Sequence, residues 1–294
     1  GGGAKLSLPC AGPPRPEGGA SLCSDMGNNQ CSTCIGDGGT SAEVQTGSAT
    51  VGKVERRPAH TFENSAVYTG EWMGTQRHGQ GEQVWPDGAM YTGQWEFDKA
   101  QGKGKFVHVD GDIYEGQWQN DKAHGLGVYH HADGSRYEGQ WMDDKQHGRG
   151  VEIWPDGAKY DGEYSAGRKS GHGHFSWADG SLYEGQFVDN DINGEGLYQW
   201  GDGRKFKGTW VKNRMHGHGI FTWIDGRSYE GDYKHDQKDG HGIFKWPDGR
   251  TYNGQWKEGK QHGEGVYSTA TGEMRRGEWS EGKRVRWLED PVAS

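Results

Sequence analysis

The chain has 294 residues, 54 of them glycine, and a net charge of -9 at pH 7. Glycine is more than twice as frequent as in an average soluble domain, which argues against an ordinary helical or α/β fold. No apolar run is long enough for a transmembrane helix, and the amino end lacks the apolar stretch of a secretory signal. We therefore expect an intracellular protein, and its acidic body argues against nucleic-acid binding.

The amino-terminal part differs in composition from the rest. All 14 Trp, 13 Tyr and 8 Phe lie at or after Phe62. We predict that residues 1–60 are a disordered, Gly/Ser/Pro-rich tail and that residues 61–67 lead into the folded part. All the cysteines lie in this tail: Cys10, Cys23, Cys31 and Cys34. No disulfide or metal framework can therefore hold the main body together.

An aromatic-x-Gly-x-aromatic motif recurs every 23 residues. Nine copies occupy residues 68–274, and a degenerate tenth copy, in which Arg275 replaces the first aromatic, begins the C-terminal segment 275–294 and is expected to act as a cap. The predicted structural core is Tyr68, Gly70, Trp72, Tyr91, Gly93, Trp95, Tyr114, Gly116, Trp118, Tyr137, Gly139, Trp141, Tyr160, Gly162, Tyr183, Gly185, Phe206, Gly208, Trp210, Tyr229, Gly231, Tyr252, Gly254 and Trp256.

Each period predicts one β-hairpin. In residues 68–72 the two aromatics alternate with polar residues, so they share one strand face, and the central glycine leaves room for neighbouring rings. The polar stretch 212–216 is interpreted as the turn within a hairpin, and Asp225-Gly226 as a tight turn between hairpins. Stacked hairpins predict an all-β fold: an elongated single antiparallel sheet. Polar residues on the other face, such as Glu71 and Gln94, are expected to be solvated.

Residues 137–141 (Tyr-Glu-Gly-Gln-Trp), 147–150 (His-Gly-Arg-Gly) and 155–157 (Pro-Asp-Gly) together resemble the MORN repeat, the membrane occupation and recognition nexus motif. The resemblance covers about residues 68–280. Family members include junctophilins, radial spoke head subunits, protist cytoskeletal scaffolds and the amino-terminal regions of plant phosphatidylinositol phosphate kinases. The resemblance implies a mostly non-catalytic role and an association with membranes and phosphoinositides.

Five repeats place a histidine just before a Gly-x-Gly element: His78, His124, His147, His216 and His262. Equivalent positions in successive hairpins lie roughly 9 to 10 Å apart, too far to share one metal ion. A turn or hydrogen-bonding role is expected instead. Ser170, His172 and Asp179 have the residue types of a hydrolase triad but not a spacing peculiar to one. We predict no catalytic residue, metal site or cofactor.

Residues 26–34 are the basis of a lipidation hypothesis. If Met26 is the initiator, its removal exposes Gly27, and the following small uncharged residues resemble an N-myristoylation signal, although Cys31 occupies the usual Ser or Thr position. Cys31 and Cys34 would then be candidates for palmitoylation, the second acyl chain that stable anchoring needs. The alternative is that this segment is an unmodified tail.

The leading functional hypothesis is a non-enzymatic scaffold that positions partner proteins at a membrane or cortical cytoskeleton. Two alternatives remain open: a ciliary, radial-spoke-head-like subunit, and a regulatory fragment of a phosphatidylinositol phosphate kinase or protein methyltransferase. We expect protein partners, lipid contact through the amino terminus, and a homodimer formed through free sheet edges or through face-to-face contact. The expected location is cytoplasmic, at a membrane, the cytoskeleton or a cilium.

Overall fold

The computed structural model of the chain describes residues 52–288. These residues form 22 β-strands and contain no helix, which confirms the predicted all-β fold of consecutive hairpins. They divide into two compact units, residues 52–168 and 169–288. Within each unit successive hairpin strands pair antiparallel in an open sheet.

The strands of the first unit are β1 (Val54–Arg56), β2 (His60–Thr61), β3 (Val67–Met73), β4 (Gln76–Val84), β5 (Met90–Glu96), β6 (Lys99–Val107), β7 (Ile113–Gln119), β8 (Lys122–His130), β9 (Arg136–Met142), β10 (Lys145–Ile153) and β11 (Lys159–Ser165). Those of the second unit are β12 (Arg168–Ser176), β13 (Leu182–Val188), β14 (Asp191–Gln199), β15 (Lys205–Val211), β16 (Arg214–Thr222), β17 (Ser228–Lys234), β18 (Gln237–Lys245), β19 (Thr251–Lys257), β20 (Lys260–Ser268), β21 (Met274–Ser280) and β22 (Lys283–Trp287).

The turn inside each hairpin is shorter than the sequence suggested. Of the predicted turn 212–216, Lys212 and Asn213 alone form the turn, with φ values of 47° and 64°, and Arg214 already begins β16. Two positive φ values are typical of the type I′ turn, whose twist matches that of the flanking strands. The remaining residues are accommodated in the strand by a register shift between Gly208 and Trp210, a β-bulge.

The turn between repeats follows the predicted Asp-Gly pattern. At the first junction, Trp85 N–H donates to Ala89 C=O at 2.9 Å and Gly88 N–H donates to Trp85 C=O at 3.0 Å. Gly88 has φ = 96°, a conformation that glycine adopts without steric cost. Asp87 Oδ1 accepts the Ala89 N–H at 3.0 Å, so the aspartate closes the turn.

The core is a layer of aromatic rings on one sheet face. Tyr68 lies across the backbone of Gly70 and Gly81, which are paired partners in β3 and β4. A Cβ added at Gly70 would lie 2.5 Å from Gly81 Cα and 2.6 Å from Tyr68 Oη. The predicted space for rings is therefore real, because glycine is required wherever the tyrosine crosses the sheet.

Regular structure begins earlier than composition suggested. β1 and β2 both pair with β3, so strands occur within the predicted tail 1–60. They cover part of the β3 edge, which shields its backbone groups from pairing with another chain. At the other end, the degenerate copy forms the hairpin of β21 and β22, in which Trp279 is buried and Arg275 is exposed.

Candidate functional site

The predicted core aromatics lie in chains of edge-to-face contacts. Tyr68 is 5.1 Å from Trp72 of its own repeat and 5.4 Å from Trp95 of the next. Tyr91 repeats this arrangement at 5.0 Å from Trp95 and 5.1 Å from Trp118. Such pairs are favoured by the ring quadrupoles. Each tyrosine thus joins two successive repeats of its unit.

The tyrosine hydroxyl also forms a hydrogen bond with the backbone of its own strand. Tyr68 Oη donates to the Glu71 C=O at 2.9 Å, and Tyr252 Oη donates to the Gln255 C=O at 3.0 Å. Burial raises the pKa of Tyr68 and of Tyr252 to about 12, because the charged form is poorly solvated there. These hydroxyls stay protonated and act as structural donors. Phe206 has no hydroxyl to form this bond in the seventh repeat.

The tryptophans at the end of the motif make a second recurring hydrogen bond. Trp95 Nε1 donates to the Gly81 C=O at 3.2 Å, and Trp118 Nε1 donates to the Gly104 C=O at 3.1 Å. Trp72 and Trp210 depart from this pattern, since their buried Nε1 atoms have no partner among the described residues.

Turn aspartates form a ladder that the sequence analysis did not identify. Asp98 Oδ1 accepts the Arg77 N–H at 2.8 Å, while the Asp98 N–H donates to the Arg77 C=O at 3.0 Å. Asn213 makes the same pair of bonds with Ile192 at 2.7 and 2.9 Å. The signal in the sequence is Asp or Asn at the second turn position: Asp98, Asp121, Asp144, Asn190, Asn213 and Asp236.

Several of these carboxylates are partly buried. Desolvation raises the pKa of Asp121, Asp144 and Asp236, against the opposing effect of the backbone N–H that each accepts. Their ionised form is therefore less favoured than in water. The ladder stabilises the turns at the cost of partly burying charge.

The polar residue after the motif glycine also has a structural role. Gln94 Oε1 accepts the Lys103 N–H at 2.6 Å, and Glu71 Oε2 accepts the Gln80 N–H at 2.6 Å. In both cases the amide belongs to the residue that follows a bulge glycine with positive φ, such as Gly102 (68°). Gln94 is exposed, as expected for this face, but each of the two side chains also satisfies an amide that the bulge leaves unpaired.

The histidines lie next to the turns. The Nδ1 atoms of His124, His147, His216 and His262 are buried and unpaired within the described residues. In another repeat the equivalent Gln101 Oε1 accepts the Asn120 N–H at 2.9 Å, a bond to the next turn that fits the expected hydrogen-bonding role. Over residues 52–288 no group of three His, Cys, Asp or Glu side chains could hold a metal ion. Asp179, one of the three residues with hydrolase-triad residue types, accepts the Ser181 N–H at 2.9 Å within a turn.

Arg77 and Lys238 lie against the aromatic layer at equivalent positions of two repeats, and the sequence analysis did not single them out. Arg77 is buried, its Cζ is 4.4 Å from the Trp95 ring centre, and its guanidinium donates to Gln83 and to the Asp98 C=O. Lys238, at the equivalent position of the eighth repeat, lies among four rings. Its burial, and then the charge of Arg227, lower its pKa to about 8.

A cleft lies at the first edge, where the chain enters the sheet. Arg57, Pro58, Ala59, His60, Phe62, Trp72 and Thr75 line it. The Nε1 atom of Trp72 has no hydrogen-bond partner among the described residues. The lipidation candidates Gly27, Cys31 and Cys34 lie outside the described residues.

The family model of the MORN repeat matches nine consecutive segments: residues 68–90, 91–113, 114–136, 137–159, 160–182, 183–203, 206–226, 229–249 and 252–274. No curated protein matched the sequence significantly. Residues 52–288 contain no helix long and apolar enough to cross a membrane.

Solved structures show a distant likeness. The TCP10 domain of Danio rerio CPAP is 12% identical, with a TM-score of 0.39 over 70% of this chain and 98% of that chain. The TCP domain of Drosophila melanogaster SAS-4, in complex with a proline-rich motif of Ana2, is 12% identical, with a TM-score of 0.33 over 66% of this chain and 98% of that chain. These scores are too low to support a functional comparison.

Proposed function

The chain belongs to the MORN repeat family, and from that membership we propose that it is a non-enzymatic scaffold that positions partner proteins at a membrane or the cortical cytoskeleton. The observation that carries the proposal is the exposed sheet face opposite the aromatic layer. There the hairpins share one backbone frame but present different side chains, as a surface for partner proteins would require.

In the second unit this face carries aliphatic residues on alternate strands. Leu197 and Ile220 both pair with Lys207, and Ile220 also pairs with Glu230. Leu197 is 38% exposed and Ile220 is 40% exposed. We call Leu197, Lys207, Ile220 and Glu230 the mixed row. Aliphatic groups between charges of both signs give a partner apolar contact area and polar groups that fix its register.

Membrane attachment is the second part of the proposal. Myristoylation of Gly27 after loss of Met26 would give weak, reversible binding, and palmitoylation of Cys31 or Cys34 would make it stable. The segment before β1 would then join the anchor to the sheet. The scaffold would hold partners at the membrane without direct lipid contact by the acidic repeats.

The partner-binding part is tested with Leu197→Glu plus Ile220→Glu in the full chain. Partners identified by cross-linking in native cells should be lost from this variant and retained by Val211→Glu, whose similarly exposed site (39%) lies at the end of β15. Both variants should keep the wild-type Tm. Unchanged partners in the double variant would refute binding through the mixed row.

The anchoring part is tested by mass spectrometry of the natural amino terminus and by membrane flotation. We expect a species that begins at Gly27 and carries myristate, and loss of flotation in Gly27→Ala. An unmodified terminus upstream of Met26 would exclude the acyl anchor and leave a cytoskeletal scaffold.

A further inference from the structure

The first repeat lacks one ring contact that the later repeats have. Trp95 lies between two tyrosines, with ring centres 5.0 Å from Tyr91 of its own repeat and 5.4 Å from Tyr68 of the repeat before. The contact with the ring of the preceding repeat recurs edge to face at 4.9–6.0 Å along the chain. Trp72 contacts its own Tyr68 at 5.1 Å, but residues 1–61 contain no Trp, Tyr or Phe that could supply the second ring.

The position of this missing ring corresponds to the cleft at the first edge, which we call the entry cleft. Tyr68 lies against Gly81 and Trp95, and its pKa responds to the charge of Asp98. The residues 23 positions before these three all line the cleft: Pro58, Trp72 and Thr75. The volume of the cleft is about 430 Å³. The entry cleft is therefore the place that the tyrosine of a preceding repeat would occupy.

The backbone of residues 52–62, which we call the entry segment, keeps this place open. Arg56 pairs with Glu71 and His60 pairs with Tyr68, so the entry segment has one residue more than β3 between the two pairs. Regular repeats have equal numbers at this point, as in the pairing of β4 with β5. The extra residue makes a bulge. Ala59, within this bulge, is exposed and lines the cleft, so the cleft opens to solvent.

The entry segment also has an edge that can accept the strand carrying such a ring. In the first repeat Tyr68 belongs to β3, and its ring crosses the neighbouring strand β4. Among the described residues β1 and β2 pair with β3 alone, so their outer edge has unpaired backbone groups. An extended segment added to that edge would have the same relation to the entry cleft as β3 has to Trp95. Strand addition of this kind combines main-chain hydrogen bonds with a pocket for a side chain.

The entry segment is basic within an acidic unit. Residues 52–62 carry three Lys or Arg against one Glu, whereas residues 63–168 carry 18 Asp or Glu against 10 Lys or Arg. Arg57 lines the cleft, with its Cζ 5.7 Å from the Trp72 ring centre, and the single Glu of the segment pairs with it at 2.6 Å. Lys53 and Arg56 are exposed on the same segment. The charge therefore favours an acidic ligand.

We propose that the edge of β1 and β2, with the entry cleft, binds an extended acidic segment of a partner protein and receives a tyrosine or phenylalanine side chain from it. The proposal rests on the proposed function insofar as the ligand is a protein partner, and it adds a surface separate from the mixed row. A second copy that stacked its last repeat here in the register of the repeats would present Arg275 in place of the ring. A hydroxyl is not required, because Phe206 makes the same contact with Tyr233 at 5.1 Å.

The test uses the full chain and a short, end-blocked Ser/Asp peptide with one central tyrosine. Binding is followed through the NMR indole N–H signal of Trp72, which is assigned by its loss in Trp72→Phe. The peptide should shift this signal and slow hydrogen exchange at the amides of β1 and β2 that do not bond to β3. Phenylalanine in place of the peptide tyrosine should keep the affinity within about twofold, whereas leucine should weaken it about threefold or more.

Two variants of the cleft have matched controls in the same unit. Ala59→Tyr should fill the cleft with the chain's own ring, shift the Trp72 signal without peptide and weaken peptide binding about tenfold or more. Ala132→Tyr makes the same change at another exposed alanine and should leave binding unchanged. Arg57→Gln should weaken binding about threefold, and Arg149→Gln, at another exposed arginine, should not. Thermal unfolding of each variant establishes that it is folded.

Four outcomes would overturn the inference: no peptide-dependent shift of the Trp72 signal, equal binding of the leucine peptide, wild-type affinity in Ala59→Tyr, or self-association of the chain that Ala59→Tyr abolishes, which would assign the cleft to a second copy. Loss of cellular partners in Leu197→Glu plus Ile220→Glu alongside any of these would show that the scaffold function stands while the entry cleft has no part in it.

Discussion

Ala100 and Asp121, in successive repeats, hold each other by two hydrogen bonds. The Ala100 N–H donates to Asp121 Oδ1 at 2.7 Å, and the Asp121 N–H donates to the Ala100 C=O at 3.1 Å. The second bond belongs to the backbone, whereas the first depends on the side chain. Because an asparagine oxygen accepts the same bond in other repeats, the carboxylate charge is not needed for this hydrogen bond.

Asp144→Asn should therefore raise stability at pH 7 by up to about 1 kcal/mol, since the variant keeps the acceptor and removes a partly desolvated charge. The folded-state pKa of Asp144 is raised by desolvation. Its contribution to stability is then complete below the unfolded-state pKa and is lost as the pH rises through the folded-state pKa. The gain in the variant should thus disappear in acid.

Urea unfolding of Asp144→Asn and wild type from pH 3 to pH 7 measures this difference. Asp144→Ala is the control, because it removes the acceptor as well and should cost about 1 kcal/mol. A loss of stability in Asp144→Asn at pH 7 would show that the charge itself supports the turn.

The seventh repeat should open before its neighbours. Phe206 lacks the tyrosine hydroxyl, Trp210 has a buried Nε1 without a partner among the described residues, and Thr209 replaces the Gln, Glu or Asp that closes the bulge in other repeats. Hydrogen exchange should therefore be faster in β15 and β16 than in β17 and β18.

Phe206→Tyr should restore the bond to the Thr209 C=O and stabilise the chain by about 1 kcal/mol, with slower exchange in the same two strands. The matched variant Tyr229→Phe in the eighth repeat should cost a similar amount. Greater protection of β15 and β16 than of their neighbours in the wild type would contradict this account.

Gly93→Val should be severely destabilising. A Cβ at this position would lie 2.5 Å from Gly104 Cα and 2.7 Å from Lys103 O, and neither backbone atom can move without breaking the strand pairing. We expect a loss of about 3 kcal/mol or more, measured by thermal unfolding. Gly74→Asn is the control: it lies in a turn at φ = 64° with no other atom within 4 Å of the added Cβ, and asparagine tolerates that conformation. Similar losses in both variants would refute the packing argument.

Lys238→Met should stabilise the chain at pH 7, since Met215 is fully buried at the equivalent position. The Lys238 pKa is lowered to about 8, so between that pH and the ordinary lysine pKa the unfolded chain binds more protons and wild-type stability rises with pH. Unfolding in urea at pH 7 and pH 9.5 should show this rise in the wild type and a smaller one in the variant. An equal pH dependence in the two proteins would assign it to other groups.

The aromatic and glycine positions were predictable because both follow from the alternation of side chains along a strand. The Asp-Gly turns were predictable because positive φ selects glycine. The boundary at residue 61 did not anticipate β1, since Val54–Arg56 has no aromatic signal and is held by pairing with β3. The role of Gln94 was missed because a polar residue on an exposed face has the same appearance in sequence whether it is solvated or bonded to a bulge amide.

The sequence by itself determined the period, the hairpin, the turn residues and the face on which the rings lie, because each depends on spacing within one repeat. The tertiary structure decided which side chains meet across repeats. Asp121 reaches Ala100, and Lys238 lies among rings drawn from three repeats, since register and bulges set these neighbours. The rings around Lys238 recur with the motif, but their enclosure of the lysine depends on the packing of one hairpin on the next.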